Sequence, residues 1–302
     1  MQTPWGELAV RDAHVHFFSH SFYTTLARQK GVSTADAVAG LGWELPDPDP
    51  VRLAAGWAAE LDRHGVDRAA LIASLPNDQN SVAAAIGAFP QRFTGFQMCD
   101  PTSPSAVADA ERALESGMRC LCLFPAMHRY SVASDQAVSI IQLAADRPGT
   151  AVFVHCGVLS VGIRKKLGLP SPFDMRYSNP IDLHPVALRF GHVPFVIPHF
   201  GAGFLREALM LCSMCPNVHL DTSSTNGWTR LQSPPLSLVE ALRQALEVAG
   251  PERLLFGTDS SYFPRGWHRQ VLDLQIQALQ EIGVPKSTAA AVLGGNFARL
   301  LT

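Results

Sequence analysis

The chain has 302 residues, 47% of them hydrophobic and 17% charged, with a formal net charge of −2 and a pI near 6.6. That length and apolar content suffice for one large core, while the charge balance offers no basic face for nucleic acid or an anionic membrane. No window approaches the roughly 20 consecutive apolar residues of a membrane span, and the N-terminus lacks a basic region followed by an apolar one, so a cytoplasmic protein with a small-molecule substrate is expected, with neither nucleic acid nor membrane as partner.

Apolar strand-like runs fall at residues 8–16, 67–74, 93–99, 119–124, 150–155, 194–199, 217–221 and 253–258. Helical patterns at 51–64, 107–116, 133–146, 236–248 and 268–282 lie between them, and a last helix at 287–301 closes the chain. Gly65, Gly117, Gly149 and Gly283 stand near helix ends, where glycine takes the left-handed cap conformation. Strand and helix alternating in this way predict a (β/α)8 TIM barrel: one α/β domain over 1–302 with an added C-terminal helix. A barrel of this kind commonly dimerises through outer helices, so a homodimer is the expected assembly.

Two connections are long, 17–50 after the first strand and 157–180 after the fifth, and long loops on a compact scaffold are usually functional. Both are expected to wall the substrate pocket. The first carries Trp43 and a Pro-Asp-Pro-Asp-Pro run that cannot be helical; the second carries Arg164, Lys165, Lys166, Phe173, Arg176 and Tyr177. The six cysteines sit within apolar patterns, as reduced core thiols do, and Cys212 with Cys215 lacks the second pair that a zinc site would need.

Five residues end short apolar runs: His14 and His16 in Arg-Asp-Ala-His-Val-His, His155 in Val-Phe-Val-His, His199 in Val-Ile-Pro-His, and Asp259 in Leu-Leu-Phe-Gly-Thr-Asp. Residues two apart on a strand share a side, so His14 and His16 project together into the barrel mouth. A solitary histidine on a strand is more often a hydrogen-bonded core residue, but that explanation would have to hold on four strands at once. Three histidines and one carboxylate with one open position match a catalytic zinc, with manganese, cobalt and iron as alternatives.

The order His14-x-His16, His155, His199, Asp259, with Gly-Thr-Asp on the last strand and Gly-Gly-Asn-Phe-Ala-Arg-Leu at 294–300, resembles the amidohydrolase superfamily. It looks like the amidohydrolase-related branch that contains aminocarboxymuconate semialdehyde decarboxylase and lactone hydrolases. The resemblance implies that His14, His16, His155 and Asp259 hold one divalent metal ion, usually zinc, and that His199 is catalytic rather than a ligand. The two-metal branches use a carboxylated lysine on the fourth strand; Lys30, Lys165, Lys166 and Lys286 all lie elsewhere, so one ion is expected.

A metal in the barrel mouth would lower the pKa of water from about 16 to about 7 and polarise a carbonyl. Asp259 is then expected to pass a proton from the attacking water to the leaving group, and His199 to stabilise the oxyanion. Hydrolysis of a small cyclic ester or amide bearing a carboxylate follows. The alternative is non-oxidative decarboxylation of an aromatic or enoic acid, which also needs a well-placed cation. Arg265 in the last loop is the expected carboxylate partner, supported by Arg164 and Arg176. Pocket candidates are the aromatic residues Phe17, Trp43, Phe200, Trp228, Tyr262 and Trp267, together with His128 and Arg129. A barrel that binds metal without turnover is the rival class; Asp259 and His199 together argue against it.

Overall fold

The computed structural model describes residues 1–223 and 227–301. Eight parallel strands pair in sequence order: β1 (Arg11–Phe17), β2 (Arg68–Ala73), β3 (Phe93–Cys99), β4 (Cys120–Leu123), β5 (Ala151–Val154), β6 (Phe195–Ile197), β7 (Val218–Asp221) and β8 (Leu254–Leu255). Three backbone hydrogen bonds join the last strand's exit to the first: Ala13 N to Phe256 O at 2.8 Å, Asp259 N to His14 O at 2.9 Å and His16 N to Ser260 O at 2.7 Å. The sheet thus rolls into a (β/α)8 barrel.

The strands are shorter than the apolar runs. β8 is the extreme case, because the backbone of 256–258 is satisfied elsewhere: Phe256 N donates to Val292 O at 3.1 Å and Thr258 N to the Asp12 carboxylate at 3.0 Å. Residues 8–10 leave β1 in the same way, with Leu8 N bonded to Met1 O at 3.0 Å beside a hairpin of Gln2–Thr3 and Gly6–Glu7.

Alternation on the strands divides the core. Ala70, Ile72, Phe96, Cys122, Phe153 and Val196 fill the barrel interior with Phe297 and Leu301 of the C-terminal helix, while Val15, Phe17, Leu71, Leu123 and Ile197 pack outward under the helices. Asn296 Nδ2 donates to Leu254 O at 2.8 Å, so the C-terminal helix plugs the end where β8 begins and the opposite end is free for a site. The helix expected at 287–301 runs as Lys286–Ala290, a π-turn Ala291–Gly295 and Asn296–Leu301. Gly294 explains the wide turn: a Cβ there would lie 2.1 Å from Ala9 O, so the chain runs flush against the start of β1.

The outer helices follow their signals. In Pro50–His64, Asp49 accepts from Val51 N, proline occupies the first turn, and Gly65 caps the end at φ 67°. The long connections are more ordered than their composition suggested. The first forms His20–Lys30 and Thr34–Ala39, the fifth forms Gly162–Lys166, and Phe22, Tyr23, Leu26 and Val38 share a separate apolar cluster with Ile163 and Leu167. That cluster is a cap beside the mouth. All six cysteines are free and buried, and among the described residues no helix is long and apolar enough to cross a membrane.

Candidate metal centre

Because Val15 and Phe17 face the outer helices, His14 and His16 face the mouth. His14 Nε2 lies 3.4 Å from His16 Nε2, and Asp259 Oδ1 lies 3.7 Å from the first and 3.4 Å from the second. A tetrahedral ion with bonds of about 2.1 Å has ligand-to-ligand edges of about 3.4 Å. The triangle therefore has the size of one face of such a polyhedron, and these three residues form a compact group that could hold a metal ion.

The partners of each ring fix its tautomer. His14 Nδ1 sits 2.6 Å from Asp221 Oδ2, which can only accept, so Nδ1 carries the proton and Nε2 keeps its lone pair. Ser74 Oγ donates to Ile72 O at 3.2 Å, so at 3.1 Å from His16 Nδ1 it accepts, and His16 Nε2 is likewise bare. His199 Nδ1 lies 3.0 Å from Ser223 O, leaving its Nε2 as an acceptor as well. Three imidazoles are held with bare Nε2 atoms.

His155, one residue past β5, packs its ring against Phe124 at 5.5 Å and His199 at 5.3 Å. It stands outside the compact triangle. Its Nδ1 is buried without a hydrogen-bond partner among the described residues, a costly state for a polar atom. The donor set of His14, His16 and Asp259 fits a divalent ion.

Electrostatics separate the groups. Burial and the neighbouring histidines hold His155 well below the ordinary imidazole range, and burial followed by the charge of His14 lowers His199. Burial would lower His14 too, but the Asp221 charge and hydrogen bond outweigh it and raise it. Burial opposes ionisation of Asp259, yet the His16 and His14 rings beside it outweigh burial and hold its carboxyl far below the usual range.

A second carboxylate builds the frame. Asp12 accepts from His14 N at 2.9 Å, Thr258 N at 3.0 Å, Thr258 Oγ1 at 2.5 Å and Trp267 Nε1 at 2.7 Å. Burial pushes it up to about 6 against the lowering hydrogen bonds. Gly257 is needed for contact: a Cβ would meet Asp221 Oδ1 at 2.7 Å and His14 Cβ at 2.9 Å. His199 and Asp259 take left-handed backbone at φ 55° and 59°, strain of the kind that clusters at functional sites.

Above the cluster lies a cavity of about 700 Å³ lined by His16, His155, His199 and Asp259, the aromatic residues Phe18, Phe22, Trp43, Phe124, Trp228 and Tyr262, and the cations Lys166, Arg230 and Arg265. Trp43, Trp228, Tyr262 and Arg265 are where the sequence placed them. The Arg265 guanidinium lies 4.6 Å over the Tyr262 ring and donates to Asp259 O and Ser261 Oγ, each at 3.2 Å.

Other expected pocket residues lie elsewhere. Arg176 stands outside the lining, largely exposed and paired with Asp174 at 2.6 Å. His128 also stands outside it, stacked with Tyr130 and 3.9 Å from the Asp100 carboxylate. Arg129 donates to Pro172 O at 2.6 Å, and Arg164 to Pro170 O and Gln29 Oε1, both at 2.7 Å. Free carbonyls in the proline-rich fifth loop draw these guanidiniums to the loop itself. Phe17 and Phe200 belong to the outer core and Trp267 serves Asp12.

Asp221, Ser74 and Ser223, which orient the imidazoles, were not singled out from sequence, although Asp221 ends its apolar run at the same relative place as the other site residues. Lys166 was assigned to a pocket-wall loop without a role, and Arg230 had no signal.

The fold and site together define a TIM-barrel protein with a His-His-Asp group at the barrel's open mouth that could hold a metal ion. The profile of the family described as Amidohydrolase matches residues 12–302, and the chain belongs to that family. Solved structures similar to it over 97% of its length include an uncharacterised TIM-barrel protein from Bordetella bronchiseptica (18% identity, TM-score 0.67, 98% of that chain). Two others are a probable 2-pyrone-4,6-dicarboxylic acid hydrolase from Acinetobacter baumannii with citric acid bound (16%, 0.61, 99%) and an amidohydrolase from Burkholderia multivorans with bound zinc (15%, 0.62, 100%). At these identities the likeness shows the fold. An 87-residue stretch is 32% identical to Protein fluG of Emericella nidulans, covering 29% of this chain but only 10% of that protein.

Proposed function

We propose that the protein is a mononuclear metal-dependent hydrolase of a small cyclic ester or amide bearing a carboxylate. Its main support is the triangle of two bare Nε2 atoms and one carboxylate oxygen, spaced 3.4–3.7 Å apart. His14, His16, His155 and Asp259 would hold one divalent ion, zinc by the nitrogen-rich donor set. Such an ion supplies Lewis acidity towards a carbonyl and towards water.

The chain's own groups supply the rest. Asp259, kept ionised by its histidines, accepts a hydrogen bond from the attacking water and orients it. The bare Nε2 of neutral His199 takes the proton and returns it to the leaving group. Ser223 keeps the His199 ring in the one tautomer that can do this. Arg265, beside Asp259, takes the substrate carboxylate, and the aromatic walls exclude water.

The same frame suits decarboxylation if Arg265 holds the departing carboxylate. A panel of lactones, amides and aromatic or enoic acids decides between them. Hydrolysis abolished by chelation and restored by zinc is expected; carbon dioxide release without hydrolytic turnover would make the protein a decarboxylase.

A further inference from the structure

Glu60 is buried on the outer helix Pro50–His64, on the same face as Ala54, Trp57, Ala58 and Leu61, which pack on the barrel. A carboxyl in that position loses its hydration and needs partners that offset the loss. Two of its partners lie on its own helix, Arg63 Nη1 at 2.8 Å and His64 Nε2 at 3.1 Å. Residues three and four apart on a helix can pair just as well from the solvent side, so these two do not explain why Glu60 faces inward. The third partner does: Trp267 N, in the loop that follows β8, donates to Glu60 Oε1 at 3.1 Å.

That loop carries Tyr262 and Arg265 to the catalytic cavity and closes on itself. His268 N donates to Ser260 Oγ at 2.9 Å across its neck, and Gly266 N to Tyr262 O at 3.0 Å across its span. Just past Arg265 the chain turns back through Gly266 at φ 66°, a left-handed conformation that glycine enters and leaves easily. The joint is held from outside, because the Glu60 carboxyl occupies the space where a side chain would be: a Cβ on Gly266 would collide with Glu60 Oε1. Trp267 is gripped from the other side as well, through its indole Nε1 on Asp12 Oδ2 at 2.7 Å. The backbone after Arg265 is thus clamped between the outer helix and β1, while the guanidinium rests over Tyr262 and on Asp259 O and Ser261 Oγ.

We propose that Glu60 is a positioning residue: from the outer helix it fixes the Gly266–Trp267 backbone and so sets where the Arg265 guanidinium lies in the catalytic cavity. That Arg265 meets a carboxylate there rests on the proposed function; that Glu60 sets its placement does not. The metal centre is insulated from the loss of Glu60, because Asp12 keeps its contacts with His14 N, Thr258 N and Thr258 Oγ1 without it. Removing Glu60 therefore acts on anion binding and spares metal binding.

Glu60→Met keeps the length of the side chain, suits an apolar surrounding and removes the acceptor, whereas Glu60→Gln keeps an acceptor oxygen for Trp267 N. In the full chain, the Arg265 Nε–H signal in NMR spectra, assigned by its loss in Arg265→Lys, is expected to shift in Glu60→Met and to keep the parental position in Glu60→Gln. Glu60→Ala repeats the test with a smaller side chain should the thioether pack badly. Benzoate affinity, read by calorimetry, is expected to fall about tenfold in Glu60→Met, the scale of a displaced charge-assisted hydrogen bond. The same change made in Arg265→Ala is expected to cost less than about twofold, since residues that act through one contact are not additive. Zinc uptake is expected to match the parent's in every Glu60 variant. An unmoved Arg265 signal in Glu60→Met, an affinity loss as large without the guanidinium as with it, or zinc lost together with benzoate would overturn the proposal. A parent that binds no benzoate, or binds it equally after Arg265→Ala, would instead refute the carboxylate role of Arg265 in the proposed function, and the Arg265 signal then decides the placement by itself.

Discussion

Asp221→Asn isolates the carboxylate that holds His14. The replacement keeps shape and volume at a site with no solvent exposure, where Oδ2 faces His14 Nδ1 at 2.6 Å and Oδ1 accepts from Ser223 N at 2.5 Å. An amide has one accepting oxygen, so it can satisfy one of these donors and must turn its own N–H groups towards the other. Loss of such a carboxylate behind a metal-ligating imidazole typically weakens metal affinity 10–100-fold, or about 1.4–2.7 kcal/mol. Removing the charge also removes the main influence that raises His14, so burial should then carry its pKa below the ordinary imidazole value. Zinc affinity is read by competition with a chelator at pH 7, and the His14 midpoint by NMR in metal-free protein. An Asn variant that binds zinc within about twofold of the parent, with an unmoved His14 titration, would refute the role of Asp221.

His199→Ala should cut turnover about 100-fold or more while metal content stays at the parental level; stoichiometric loss of metal would make His199 a ligand. Arg265→Ala should raise KM for carboxylate-bearing substrates about tenfold or more, the worth of a charge-assisted hydrogen bond, and leave neutral analogues unaffected; equal effects on both would remove its anion-binding role. His219 is held down to about 4 by burial and by the charges of Arg299 and Arg253. Its folded pKa lies below the unfolded value of about 6.5, so the unfolded chain binds the extra proton and stability falls as pH drops from 6.5 towards 4. Between pH 7 and pH 5 this amounts to about 2 kcal/mol, and chelator-treated His219→Gln should show that much less acid destabilisation in denaturant melts; a pH dependence identical to the parent's would refute it.

The barrel and the side chains at its mouth were legible because they depend on strand periodicity. A buried strand must be apolar until its tip, so the residue that ends the run is the one that meets the mouth, and His14, His16, His155, His199 and Asp259 were all found by that rule. Loop side chains obey no such period. Arg176, His128 and Arg129 lie in the right connections but turn to Asp174, Asp100 and Pro172 O, since a nearby acceptor in the same loop region outcompetes a distant pocket. Ser74 and Ser223 matter only through the ring nitrogens they face, which requires the three-dimensional register. The helices His20–Lys30 and Thr34–Ala39 were hidden because their apolar faces pack on the fifth loop rather than on the barrel.

Zinc titration of chelator-stripped protein, with bound metal counted by mass spectrometry, tests the central claim most directly. One equivalent is predicted for the parent, with loss of tight binding in His16→Ala, whose Nε2 forms a corner of the 3.4–3.7 Å triangle. A folded parent protein that takes up no divalent metal, or a His16→Ala variant that retains the full equivalent with unchanged affinity, would contradict it.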